Sequence, residues 1–208
     1  RQETYFLNLE QRFDSGWKVN GLFNHAQNTG DLKLLWLFGF PDRSTGLGLD
    51  RFPARYDTKR TQNDVTLQLS GPFSAWGRKH EMTAGLQYGQ QNFLGLSYDH
   101  DFGLDPVVDN FFNWNGSYPQ PVWGDRSVND KSSTRESAVY SAVRLSLTDP
   151  LKLILGTRVT RWRTEGVDFT TIPYAFKHNK VTPYAGAIYD LTPHTSVYAS
   201  YTDIFEPQ

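Results

Sequence analysis

The chain has 208 residues, with 21 Lys and Arg against 22 Asp and Glu, and a formal net charge of -1 excludes a nucleic-acid surface built on excess positive charge. It has no cysteine, so neither a disulfide framework nor a thiolate metal site is available. No run of ~18 apolar residues offers a transmembrane helix, and the opening Arg1-Gln-Glu-Thr4 is not a signal peptide, having no apolar core behind a basic start. Aromatic residues nevertheless make up 15%, with 6 Trp, 11 Tyr and 14 Phe. Many aromatics without long apolar runs suit strands in lipid, where alternate residues face a lumen and aromatic rings gather at both interfaces.

The elements follow a period of two. Residues 3–13 set Tyr5, Leu7 and Leu9 against Phe6, Asn8, Glu10 and Arg12, which predicts a first strand. Asp14-Ser-Gly16 turns the chain, and residues 17–36 return with Trp17, Val19, Gly21 and Phe23 on one face and Lys18, Asn20 and Asn24 on the other. Leu34-Leu-Trp-Leu-Phe38 is continuously apolar and is expected either to leave the membrane or to pack inward. Residues 39–57 read as a loop. Residues 58–70 alternate again, with Val65, Leu67 and Leu69 outward, and residues 71–79 read as a turn. Residues 80–96 place Met82, Ala84, Leu86 and Tyr88 out and Glu81, Thr83, Gly85 and Gln87 in.

Residues 97–133 are rich in Pro, Asn and Gly and read as a long irregular loop. The fifth strand, 133–147, carries Val139, Val143, Leu145 and Leu147 opposite Tyr140, Ala142, Arg144 and Ser146. The sixth, 151–165, carries Leu153, Leu155 and Val159 opposite Gly156, Arg158 and Thr160. After a loop at 166–176, residues 182–189 and 195–205 form the last hairpin, with Val197, Ala199 and Tyr201 on one face.

Short and long connections alternate along the whole chain, as the periplasmic turns and outer loops of a bacterial outer-membrane barrel do. Turns at 14–16, 71–79, 148–150 and 191–194 are then periplasmic, and loops at 39–57, 97–133 and 166–176 extracellular. Phe13, Trp17 and Tyr189 suit a periplasmic aromatic girdle. Arg12, Lys18, Glu81, Arg144 and Arg158 face the lumen, where a small closed barrel would strand them without partners at several kcal/mol each. The fold class is therefore all-β: an antiparallel up-and-down transmembrane barrel segment of about eight strands, forming an open sheet. Both ends fall on the extracellular side of this topology, so residues 1–208 are expected to be an internal piece of a barrel domain.

Thr182-Pro-Tyr-Ala-Gly186, Tyr189-Asp-Leu-Thr-Pro193 and the stretch from Ser196 to Gln208 resemble the TonB-dependent siderophore receptors of bacterial outer membranes. Leu147-Thr-Asp-Pro-Leu-Lys-Leu-Ile-Leu-Gly-Thr-Arg158, Ser70-Gly-Pro-Phe73 and Gly77-Arg-Lys-His80 are similar to the same family, in the same order, and most of all to its ferric-pyoverdine and ferric-coprogen type. The resemblance implies a barrel of about 22 strands around a plug, with the plug and closing strands outside this chain. It implies a ferric siderophore as transported ligand, with no covalently bound cofactor. It implies energy from the TonB-ExbB-ExbD complex acting through the plug, and contact with outer-membrane lipid and lipopolysaccharide. Two other classes remain to be weighed: a self-contained small barrel of structural or adhesive role, and an outer-membrane enzyme.

Candidate site residues fall in the longest loop. Trp114, Tyr118 and Trp123 offer flat faces with polar tips, Phe112 a flat apolar face, and Arg126 a cation, for a flat anionic chelate. The other reading of these aromatics is that they anchor a long loop onto its neighbours. Arg43 and Arg51 are weaker cationic candidates. Asp99-His100-Asp101 is the one cluster with a catalytic look, but no nucleophile accompanies it, and a loop histidine among carboxylates is ordinarily a solvated group. Asp99, Asp101, Asp105 and Asp109 lack the spacing of a calcium loop.

Overall fold

The computed structural model describes residues 1–205; Glu206, Pro207 and Gln208, the end of the receptor-like stretch, lie outside the described residues. Eight strands form one antiparallel sheet in sequence order. They are β1 (Gln2–Arg12), β2 (Lys18–Gly39), β3 (Leu49–Ala75), β4 (Arg78–Tyr98), β5 (Arg126–Ser146), β6 (Leu151–Val167), β7 (Pro173–Thr192) and β8 (Thr195–Thr202). Each strand pairs with the next, and among the described residues β1 and β8 share no ladder. The sheet is open, as the alternation requires.

The strands run longer than their periodicity announces. β2 and β3 continue to a hairpin that closes at Gly39 and Leu49, so most of the expected loop at 39–57 is sheet. Leu34 to Phe38 does not pack inward; it stays in the sheet, paired with Ala54 to Asp50, in the part of the β2–β3 hairpin that rises beyond the apolar rows. The expected turn at 71–79 shrinks to Trp76-Gly77, whose φ angles of 51° and 74° are those of a tight two-residue hairpin loop. The loop expected at 97–133 shortens to 99–125, and the one at 166–176 to 168–172. Residues 173–181, assigned to no regular element by the pattern, begin β7, and β8 stops at Thr202 rather than Phe205.

Proline explains why the sequence reading stopped short. Pro53 lies above the point where β4 joins β3, Pro72 beyond the last β2 partner, and Pro183 just above the last β8 partner. Each sits where its strand has a neighbour on one side alone, the place a sheet tolerates a residue without an N–H.

Register places one apolar row against the next. Leu7, Phe23, Val65 and Tyr88 lie side by side, as do Leu86, Val139, Val159 and Val181, and Met82, Val143, Leu155 and Ala185. Val65, Leu67, Leu69, Leu86, Leu155 and Val159 are exposed, Met82, Ala84, Val143, Leu145 and Leu153 half-exposed, and none is packed in a core. Lipid is the solvent that makes such a face stable. The opposite face carries paired charges: Arg12 with Glu10 at 2.6 Å, Arg144 with Glu81 at 3.3 Å and Arg158 with Glu136 at 2.7 Å. Tyr140 lies flat across Gly85, where a Cβ would meet its ring at 2.4 Å, and its hydroxyl donates to Gln68 at 2.9 Å. Phe13 and Tyr189 are exposed at the short-turn end, whereas Trp17 is half-covered there.

At that end His80 is 2% exposed. Its Nδ1 accepts the Ser146 N–H at 3.0 Å, which leaves Nε2 to donate to the Ala75 carbonyl at 3.0 Å, while Phe73 and Trp76 flank the ring. The imidazole thus clasps the β3–β4 turn to the end of β5. His80→Ala strands both backbone groups and is expected to lower stability by about 2 kcal/mol in urea titrations of the micelle-embedded barrel; an unchanged midpoint would refute the clasp.

Candidate functional site

The long-loop end is built in layers. The first is the turn at residues 40–48. Asp42 Oδ1 accepts from the Ser44 N–H and hydroxyl at 2.9 and 2.6 Å, and from the Thr45 N–H and hydroxyl at 2.9 and 3.0 Å. These donors, the Ser44 hydroxyl foremost, pull the Asp42 carboxyl down to about 2. Gly46 follows at φ +72°, and its carbonyl accepts the Phe111 N–H at 2.9 Å. A Cβ there would lie 2.2 Å from Asn110 Oδ1, so the second loop rests directly on the first.

That second loop, residues 99–125, holds two single 3-10 turns, Phe102–Leu104 and Phe111–Asn113. Asp101 and Asn110 cap them, each accepting the N–H two residues on at 2.9 Å. Just before the first turn the His100 side chain is buried, its Nε2 3.0 Å from Asp105 Oδ2 with both side chains under 5% exposed. Phe102 and Trp123 enclose the imidazole, and Phe102 stacks on Phe52 of β3 at 5.3 Å. His100 is therefore the centre of a small loop core, not the solvated group expected of it. Asp101 caps a turn, Asp99 Oδ1 accepts the His100 N–H, and no group of three or more metal-ligating side chains converges among the described residues.

Arg51 fastens this loop to β3 by donating to the Pro106 and Asp105 carbonyls at 3.1 and 2.5 Å. Tyr118 donates to the Pro106 carbonyl at 2.8 Å, and Lys33 of β2 donates to Gln120 at 2.9 Å. Burial holds the Tyr118 phenol above its ordinary range, against the opposing pull of Arg51.

A cleft of about 450 Å³ opens beside this core, lined by Phe52, Arg55, Tyr56, Tyr98, His100 and Arg126 among others. The Tyr98 hydroxyl donates to Asp57 at 2.7 Å, and Arg126 donates to the same oxygen at 3.2 Å. Arg55 lies 4.3 Å over the Tyr98 ring and pairs with Asp31 at 3.0 Å. In the β3–β4–β5 register Arg55, Tyr98 and Arg126 project on the outward face with Val65 and Tyr88, both guanidinium groups engaged by carboxylates, whereas Phe52, Tyr56 and Ser97 face the lumen side.

The five candidate residues do not form one cluster. Arg126 lines the cleft and Trp123 backs it against His100, its indole N–H buried without a partner among the described residues. Trp114 donates to the Ser117 carbonyl at 2.6 Å beside Phe111, and Tyr118 is pinned to Pro106, so both brace the loop. Phe112 is 60% exposed. Arg51 is engaged in loop packing and Arg43 is exposed. Arg55, Asp57 and Tyr98 were absent from the sequence reading. They come together only through the β3–β4 register, across 41 residues between Asp57 and Tyr98, and no local pattern marks them.

Open curved strands, an apolar outer face and a loop-roofed polar cleft define a segment of wall from a wide outer-membrane receptor barrel. The chain belongs to the TonB-dependent receptor β-barrel family: the family described as TonB dependent receptor-like, beta-barrel matches residues 1–208. It is 35% identical to the ferripyoverdine receptor of Pseudomonas aeruginosa over 99% of its length and 24% of that receptor. It is 35% identical to the ferric-pyoverdine BN7/BN8 receptor of Pseudomonas putida over its whole length and 27% of that protein. The solved P. aeruginosa ferripyoverdine receptor bound to ferripyoverdine is similar across the whole chain and 27% of its own, at 33% identity and a TM-score of 0.87. The chain spans about a quarter of the length of the curated relatives it matches. The family is one of outer-membrane receptors, not of enzymes.

Because the Asp42 carboxyl is depressed to about 2, its contribution to the turn is fully present above the ordinary value near 3.8 and is lost as pH falls toward 2. A dye on a cysteine at exposed Arg43 should show constant anisotropy from neutral pH to about 5 and a fall between about 4 and 2. Asp42→Ala should give the low value at neutral pH. A flat profile in the unsubstituted turn would remove Asp42 from this role.

Proposed function

We propose that this chain is part of the barrel wall and extracellular loops of a TonB-dependent transporter that binds a ferric siderophore of the pyoverdine class and imports it. The observation that carries the reading is its alignment, over its whole length, with two ferric-pyoverdine receptors. The remaining wall, about 22 strands in all, and a plug domain would complete the transporter, and the TonB-ExbB-ExbD complex would act through that plug.

The cleft supports the same reading. Phe52, Tyr56 and Phe102 offer flat surface on the lumen side of the strands, and Arg126, paired with Asp57, would exchange that partner for an anionic ligand. Among the other candidates, exposed Phe112 is the one left free to stack on ligand, while Trp114, Tyr118 and Trp123 serve by holding the loop in shape. The open sheet with its two unpaired edge strands favours this role over a self-contained adhesive barrel.

The test is ferric-pyoverdine binding by the intact receptor, followed by quenching of tryptophan fluorescence, and growth on ferric pyoverdine in a strain lacking other pyoverdine receptors. Arg126→Ala and Phe112→Ala should each weaken binding on the order of tenfold, the loss of one good contact. Binding that survives both substitutions would remove these residues from the ligand site. Unimpaired growth after deletion of the receptor would remove the transport role.

A further inference from the structure

Asn-Gly occurs twice in the chain, at Asn20-Gly21 and at Asn115-Gly116, and the fold treats the two pairs in opposite ways. Glycine places no side chain beside its nitrogen, so that nitrogen can reach the carboxamide carbon of a preceding asparagine. Loss of ammonia then closes a cyclic imide, and water reopens it as an acid. The backbone must supply a free N–H and room to bend back. Gly21 has neither. It lies within β2, paired with Leu9 of β1 on one side and Leu67 of β3 on the other. A strand flanked on both sides spends its N–H groups on the ladders, and bending it back would break them.

Gly116 has both. It is exposed in the loop at 99–125 with φ at +82°, and nothing lies within 4 Å of the place a Cβ would take. Its N–H donates to no backbone acceptor among the described residues. The carboxamide beside it is already polarised. Asn115 Oδ1 accepts the Ser117 N–H at 2.9 Å and the Ser117 hydroxyl at 2.6 Å. The Ser117 carbonyl takes the Trp114 indole N–H at 2.6 Å, which fixes the residue that supplies both donors. Negative charge gathers on Oδ1 as a nitrogen attacks Cγ, and two donors already aimed at that oxygen favour the step.

We propose that Asn115 is a site of spontaneous deamidation that adds a negative charge to the longest loop. The Gly116 nitrogen gives its proton to solvent base and bonds to Asn115 Cγ. The carboxamide C–N bond breaks, and its nitrogen takes up a proton and leaves as ammonia. Water then opens the imide. Cleavage at Cγ gives aspartate; cleavage at the main-chain carbonyl gives isoaspartate, with the chain rerouted through the side chain. Water and base are the only reactants, and nothing is oxidised or reduced. Asn115 lies between Phe112 and Tyr118 in sequence, and the consequence for ligand rests on the siderophore function proposed above. A carboxylate here repels an anionic chelate, and the extra backbone carbon of isoaspartate displaces the turn that Ser117 closes. Affinity therefore declines as the receptor ages.

The experiment incubates the intact receptor in micelles, warm, in water enriched in heavy oxygen, at mildly acidic and mildly alkaline pH. Peptide mass mapping follows both Asn-Gly pairs. The Asn115 peptide should lose ammonia, gain a heavy oxygen and split into two chromatographic isomers, at a rate rising with hydroxide. The Asn20 peptide should stay unchanged in the folded receptor and convert as readily as the Asn115 peptide in urea. Ser117→Ala should slow conversion severalfold in the folded receptor and leave the rate in urea unchanged. An intact Asn115 peptide, or an Asn20 peptide converting equally fast in the folded receptor, would overturn the site; an unchanged folded rate in Ser117→Ala would overturn the part given to its hydroxyl. Asn115→Asp should weaken ferric-pyoverdine binding about threefold, the scale of one exposed charge pair, and less at high salt. Asn115→Gln, whose longer side chain closes the ring far more slowly, should keep its affinity through the incubation. Unchanged affinity in Asn115→Asp would overturn the consequence for ligand. A receptor that never binds ferric pyoverdine would remove the siderophore function instead, with the mass maps still deciding the modification.

Discussion

Hydrocarbon offers no hydrogen bonds, and that single constraint governs the chain. Every backbone N–H and C=O that crosses the lipid must find its partner on a neighbouring strand. The consequence is visible in the ladders: each strand pairs with its sequence neighbour, and registers run without a slip through β1 to β4 and β5 to β7. Two irregularities lie outside these ladders, Gly95/Leu96 near the long-loop end of β4 and Asp190/Thr192 beside the short β7–β8 turn. The four prolines within strands, Pro53, Pro72, Pro173 and Pro183, stand only where one flank of the strand is already free. β1 and β8 remain as edges whose outer backbone groups require further strands in the membrane.

A second solvent lies on the other face, and the side chains record the difference. Inward arginines carry carboxylates because a crowded, partly desolvated lumen makes a lone charge expensive. Outward residues within the lipid band are aliphatic, aromatic or small and uncharged, and charge returns only at its upper rim. The same strand thus reads lipid, lumen and headgroup from three sets of positions, two residues apart or less. Above the rim the hairpin of β2 and β3 leaves the bilayer and becomes a post on which the loops are hung, through Gly46, Arg51 and Lys33.

Strand existence, order, facing and the open sheet were legible because a period of two survives wherever one face meets lipid. The reading faded above the membrane, where both faces meet protein or water and the alternation ends. Leu34 to Phe38 shows this: five apolar residues in succession carry no facing information, yet they are paired throughout. Gly71-Pro72 and Pro53 suggested turns, since a proline's tolerance depends on whether a second neighbour exists, and a sequence does not display that. In the loops, Trp114 and Tyr118 were legible as important aromatics but not as braces, because their partners are backbone carbonyls close by. The Arg55, Asp57, Tyr98 and Arg126 grouping depends on strand register across three strands, beyond any local motif.

Sequence-order pairing also bears on how the wall is made. Because the partner of each strand is the next along the chain, no pairing must wait for a distant segment, and the loop to be closed at each step is that of one hairpin. The sheet can grow by adding strands at one advancing edge, while the β1 edge stays in place and no third edge is opened along the way. Strand edges left open are what aggregate during assembly. Up-and-down order is thus a kinetic safeguard as much as an architecture: it holds the open margins of the nascent wall to two at every step, where detached pieces waiting for distant partners would each add two more.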